Sequence, residues 1–202
     1  VIHVNTTFET IANAVGEVLD ERDYEIQAIL NDYWEYCYKD GLISVSDAWK
    51  YMRMQLAGVT FDFNIKSNIY YDNAERSFRE HNILGLYKNK SVRAIGKIIA
   101  RFTAIETENG IKYECEFGDL TDERKEAIVK TIEDAKISYG YDLKTVKHRY
   151  FFVEKFYETD FKKITPKAPM GTRIFDLTQV LDTNDVSDIK ELAQKLKEQT
   201  WT

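Results

Sequence analysis

From Ser91 to Phe117 the chain alternates apolar and polar positions, the period of a half-buried strand. Val92, Ala94, Gly96, Ile98, Ala100, Phe102 and Ala104 fall on one side. Arg93, Ile95, Lys97, Ile99, Arg101 and Thr103 fall on the other. Asn109-Gly110 interrupts the run and suits a two-residue type I′ turn, which needs positive φ at both central positions. The pattern predicts a hairpin over 92–117, with Phe102 facing Phe117, Ala104 facing Cys115, and Arg101 diagonal to Glu116. The four-residue spacing of Arg93, Lys97 and Arg101 also suits a helix.

Upstream the period changes to that of helices. Thr6-x-x-Glu9 fits a capping box, followed by Phe8, Ile11, Val15, Val18 and Leu19. Ile26, Ile29, Leu30, Tyr33, Trp34 and Cys37 mark a second helix, ended by Asp40-Gly41. Ser44 or Ser46 caps a third, with Val45, Ala48, Trp49, Met52 and Leu56 on one face. Val1–Asn5 reads as β-prone, Val59–Lys66 as a strand and 72–80 as a short helix. Downstream, Thr121 caps a helix to Tyr139 with Gly140 after it. Val146–Tyr157 carries aromatics on both faces, as a central strand does. Residues 160–170 read as a basic loop, 172–177 as a strand, and a last helix runs from Asp185 or Ser187 to Glu198. The expectation is an α+β fold: an N-terminal three-helix portion, 1–57, packed on a mostly antiparallel sheet with two or three further helices. Residues 58–202 form an α+β domain built on the 92–117 hairpin.

At 44% hydrophobic and 13% aromatic the chain can bury a sizeable core, and two prolines and nine glycines among 202 residues argue against disorder. The net charge of −6 is unevenly spread: residues 1–60 hold ten acids and four bases, while 83–105 hold five bases and no acid. Residues 144–173 are basic as well. A general nucleic-acid coat is thereby disfavoured, though a local anion site is not. Cys37 and Cys115 form no metal or disulfide spacing, so a reducing, cytoplasmic setting is expected. No apolar run is long enough for a membrane span, and no secretory leader pattern opens the chain.

If the two basic segments border one groove, Lys88, Lys90, Arg93, Lys97, Arg101, Arg149, Lys162, Lys163, Lys167 and Arg173 line it, and Tyr87 and Tyr157 can stack on bases. The bland reading of the row is a solvated strand face. The aromatic helices of 6–57, with Tyr33, Trp34, Tyr36, Tyr38, Trp49 and Tyr51, read as core or as a protein-docking face.

Catalytic motifs are largely missing: there is no P-loop, GxGxxG, HExxH or GxSxG, and His3, His81 and His148 stand alone. The order helix, strand, hairpin, helix, strand over 72–157 resembles that of restriction-endonuclease-like nucleases, which place two acids and a lysine around a metal. Glu114-Cys115-Glu116 offers the acids on one face without the lysine of the E-x-K pattern or the Pro-Asp turn. His148–Phe156 faintly resembles the RNA-stacking strand of RRM domains, but lacks their glycines and aromatic register, and reads as core. The sequence thus points to a non-catalytic nucleic-acid-binding accessory protein, without cofactor or metal. A protein-interaction module docking through helices 6–57 is one alternative, and a metal-dependent nuclease another.

Overall fold

The computed structural model describes residues 5–20 and 22–202; the expected β segment at the very start, with His3, lies outside them. Two helices open the chain, α1 (Phe8–Val18) and α2 (Tyr24–Lys39). The cap of α1 is Thr7 rather than Thr6, its hydroxyl accepting from the Thr10 amide at 3.0 Å. A 3-10 helix (Val45–Lys50) leads into β1 (Tyr51–Leu56). Then come α3 (Phe61–Ser67), β2 (Ile69–Asn73), β3 (Ile83–Lys88), β4 (Ser91–Thr107) and β5 (Gly110–Phe117). The chain closes with α4 (Asp122–Tyr139), β6 (His148–Lys163), β7 (Arg173–Asp176), α5 (Leu177–Leu181), α6 (Ile189–Lys195) and β8 (Thr200–Trp201).

The eight strands of the described residues form one mixed sheet, so the fold is α+β. The strand order is β2-β6-β4-β3-β1-β7, with β5 on the outer half of β4 and β8 on the end of β6. Pairing is antiparallel except β1–β3 and β6–β8. The long strands β4 and β6 are the spine, paired from Ser91↔Lys162 to Ala104↔His148. Three register shifts in this ladder bend it. The apolar row of β4 therefore serves three clusters. Val92 packs with α5 and α6, Ala94 and Ile98 with α3, and Ala100, Phe102 and Ala104 with α4. Gly96 is required by one such bend, since a Cβ there would lie 2.2 Å from Val153 Cγ1 and 2.7 Å from the Lys155 carbonyl.

Several expected elements change type. The third helix becomes a 3-10 turn and a strand, because Tyr51–Gln55 is buried on both faces between β3 and β7. A two-sided apolar run satisfies helical spacing and strand burial equally. The helical portion thus ends by Lys50, and β1 belongs to the sheet. Phe61–Ser67 is a helix, not a strand. Phe61 and Ile65 pack on one cluster one turn apart. Asn64, fully buried, accepts from Thr60 Oγ1 at 2.9 Å and donates to the Ile69 carbonyl at 2.8 Å. Residues 69–73 pair with β6 instead of starting a helix at 72. Strand β6 continues to Lys163, into the segment expected as loop.

The 92–117 hairpin forms, but two residues out of the expected register. Phe102 faces Cys115 and Ala104 faces Tyr113. The even slip leaves Tyr113 and Cys115 on their expected face, but a register shift between Arg101 and Phe102 sets Phe117 opposite Arg101, where it is exposed. Asn109 does not take positive φ, which falls on Gly110 alone, at 103°. The turn with positive φ at both central positions is instead Asn89-Lys90, at 53° and 59°, joining β3 to β4.

Candidate functional site

The segment 74–82 crosses one face of the sheet and carries Phe78, Arg79 and His81, all buried. Alternation along β1 sends Met52 and Met54 to the cluster under α5 and α6 and turns Arg53 and Gln55 to the opposite face. There Arg53 reaches Asp72 of β2 at 3.7 Å. Three strands separate β1 from β2, a span of ~19 Å in a flat sheet, so this face must be concave. Phe78 sits in the hollow with three guanidiniums against its ring: Arg53 at 4.7 Å, Arg149 at 4.8 Å and Arg101 at 4.9 Å. Burial pushes Arg53 down to about 10. His81, fully enclosed, is held well below the usual histidine range by burial and by Arg53.

Arg79 ties the α1–α2 hairpin to this face. Its guanidinium lies 3.8 Å from the rings of both Trp34 and Tyr51. It donates to Asn13 Oδ1 and Glu9 Oε1, each at 3.1 Å, and to the Tyr51 hydroxyl.

The expected basic groove is divided. Arg101 and Arg149 lie in the hollow and share Glu116, at 2.9 and 2.8 Å, with Arg101 also gripping Glu80. The expected Arg101–Glu116 diagonal is therefore present. Lys97 is exposed elsewhere, in a shallow depression with Lys155 and half-buried Tyr157. Tyr87 is buried against Trp201, with ring centres 6.1 Å apart, and offers no stacking surface. Buried Lys163 and half-buried Arg173 flank Trp201 from 5.4 Å each. Lys88, Lys90, Arg93 and Lys162 do come together, at the Asn89-Lys90 turn and the adjoining end of β6. Lys90 is exposed, whereas Arg93 and Lys162 share Asp160, at 2.8 and 3.2 Å, and Arg93 also donates to the turn carbonyls of Lys88 and Asn89. Lys167 lies in the exposed loop after β6, near Asp20.

Glu114 and Glu116 do not build a metal centre with a third acid; among the described residues no group of three histidine, cysteine or acidic side chains is arranged to hold an ion. Hydrogen bonds from Lys147 and Lys112 hold the Glu114 carboxyl below the usual range. Both cysteines are free, Cys37 buried and Cys115 exposed.

Two further features were hidden in the sequence. A cleft of about 590 Å³ opens between the helical hairpin, the concave face and the 169–173 loop. Arg53, Gln55 and Tyr70 belong to its wall. The alternation of Tyr51-Met-Arg-Met-Gln was the available signal, masked by the helical reading. The second feature is the outer side of the hairpin. Ala12, Leu30, Trp34 and Cys37 face inward, but Phe8, Ile11 and Val18 of α1 and Ile26, Ile29 and Tyr36 of α2 are exposed, contrary to the inward placement expected for most of them. The reason is that short helices carrying apolar residues on more than one face can bury only one of them. Among the described residues no helix is long and apolar enough to cross a membrane. No protein-family model, curated protein or solved structure matches this chain.

Proposed function

We propose that this chain is a protein-interaction module that docks a basic amphipathic segment on the outer face of the α1–α2 hairpin. The observation that carries this reading is the double apolar stripe. Phe8, Ile11 and Val18 are exposed at helical spacing on α1, as are Ile26, Ile29 and Tyr36 on α2, while half-buried Val15 and Tyr33 pack on the inner cluster between them. Val18 is 79% exposed and Ile29 66%. The Tyr33 hydroxyl donates to the Phe8 carbonyl, so the stripes adjoin. A contiguous exposed apolar patch of this kind marks an interaction surface. Residues 8–39 hold eight acids against two bases, which favours a basic partner and opposes a second copy of the same face.

The test uses two synthetic helical peptides with leucine at heptad spacing, one lysine-rich and one glutamate-rich. The lysine peptide is expected to bind and the glutamate peptide not. Ile29→Asp with Val18→Asp should weaken binding at least ~10-fold with little change in Tm, since both side chains are exposed. Equal binding of both peptides, no binding at all, or a dimer dissolved by Ile29→Asp overturns the reading.

A second reading, nucleic-acid binding, is favoured by the gathering of Lys88, Lys90, Arg93 and Lys162 at one end of the sheet. Phosphate contacts there require affinity that falls steeply with salt. Fluorescence anisotropy on labelled single- and double-stranded DNA and RNA, at ~50 and ~200 mM salt, measures this. Lys90→Glu with Lys162→Glu should abolish it. No binding at the lower salt, or binding indifferent to the double variant, removes this reading.

A further inference from the structure

The 590 Å³ cleft is of the size that holds small molecules, and its wall contains a side chain with unmet bonding needs. Gln55 has no exposed surface, yet neither its Oε1 nor its Nε2 has a hydrogen-bond partner. An amide shut away from water with both its acceptor and its donors unused is costly. Such a group is complementary to an edge that presents a donor and an acceptor side by side. Next to it, Arg53 is 2% exposed, and its ionic partner Asp72 stands at 3.7 Å, beyond hydrogen-bond length. Tyr24, Tyr70 and Trp201 also line the cleft; Tyr24, 51% exposed, supplies open ring surface, while Tyr70 and Trp201 are buried behind it.

A primary amide meets adjacent donor and acceptor atoms on nucleobase edges, as glutamine does with adenine. Aromatic walls favour a flat ring over a flexible amide. The cationic rim is already engaged: Arg76 pairs with Asp72 at 2.9 Å, and Arg173 donates to the Thr202 carbonyl. It therefore suits a ligand with little negative charge. We propose that this cleft binds a nucleobase-bearing small molecule of nucleoside size, whose base edge pairs with Gln55. The proposal is independent of the docking face, which lies on the other side of the helical hairpin.

The probes are adenosine, AMP, cytidine, uridine and ribose 5-phosphate, read by thermal shift and calorimetry, with Gln55→Met as the variant. Methionine has nearly the length and volume of glutamine. Removing an unpaired buried amide should leave the Tm of the free protein unchanged or raised. At least one base-bearing probe should stabilise the wild type, and the variant should bind it at least ~10-fold more weakly, as expected for loss of a bidentate pair. The proposal fails if no base-bearing probe shifts the Tm, if the variant binds as the wild type does, or if ribose 5-phosphate acts as well as AMP. It fails also if Gln55→Met lowers the Tm of the free protein substantially, because the amide would then be satisfied by a structural water.

Discussion

Replacing Arg79 with methionine removes a charged fork and keeps a similar apolar stem. In the wild type this side chain is nearly buried, bonds Asn13, Glu9 and Tyr51, and lies between the rings of Trp34 and Tyr51. A hydrogen bond from a charged donor contributes ~1.5–3 kcal/mol and a cation–π contact ~0.5–2 kcal/mol. Those contributions overlap, and the variant no longer has to desolvate a guanidinium. Glu9 is 39% exposed, so its share is small. The net loss should be about 3 kcal/mol. Its location matters more than its size. Helix α1 buries only Ala12, so Arg79 is the main polar link between that helix and the sheet. Hydrogen exchange in Arg79→Met should accelerate about 100-fold over Phe8–Val18, the equivalent of ~3 kcal/mol, and remain unchanged in α4. Unaltered protection of α1, with a stability loss below ~1 kcal/mol in urea, would refute the reasoning and show that the hairpin is held by its apolar contacts alone.

Two other expectations follow from local geometry. His81 is buried and its folded pKa is depressed from 6.5. The unfolded chain therefore binds a proton first, so stability is full above ~6.5 and falls as the pH drops below it, by up to ~1.4 kcal/mol per unit. His81→Asn, which retains a donor for the Arg79 carbonyl, should flatten that slope in urea titrations between about pH 7 and about pH 5.5; an unchanged slope would assign the acid sensitivity to other groups. Lys90 holds φ at +59°, which strains a residue with a Cβ. Lys90→Gly should therefore stabilise by ~0.5–1 kcal/mol in chemical denaturation, and a loss of stability would mean that the lysine side chain supports the turn.

Part of the candidate surface could be read from the chain. The aromatic, acidic character of residues 6–57 and the basic run around Lys88–Arg93 were visible, because composition and charge are properties of neighbours in sequence. The cleft was not, since Arg53, Gln55, Tyr70 and Asp72 come from different strands and meet only because the sheet curls. The Arg101–Glu116 pair was legible in the hairpin, but Arg149, which looks like a free cation, is committed to the same Glu116 from a strand distant in sequence.

The same division runs through the fold. Helix α4 carries its own boundaries: the Thr121 hydroxyl caps the Arg124 amide and Gly140 takes φ +70°. Inward positions Ile128, Thr131, Ile132 and Ala135 repeat at helical spacing, and all of this lies within twenty consecutive residues. The alternation of β4 and the two-sided aromatics of β6 announced strands in the same way. Residues 51–56, 61–67 and 69–73 hold patterns that suit either helix or strand, and each took its form from a partner distant in sequence: β3 and β7 for the first, the cluster around Phe156 for the second, β6 for the third. Capping and periodicity act between neighbours and are written in the chain. Strand pairing, turn register and the pairing of buried charge depend on desolvation by residues far away in sequence, and so were decided only when the sheet assembled.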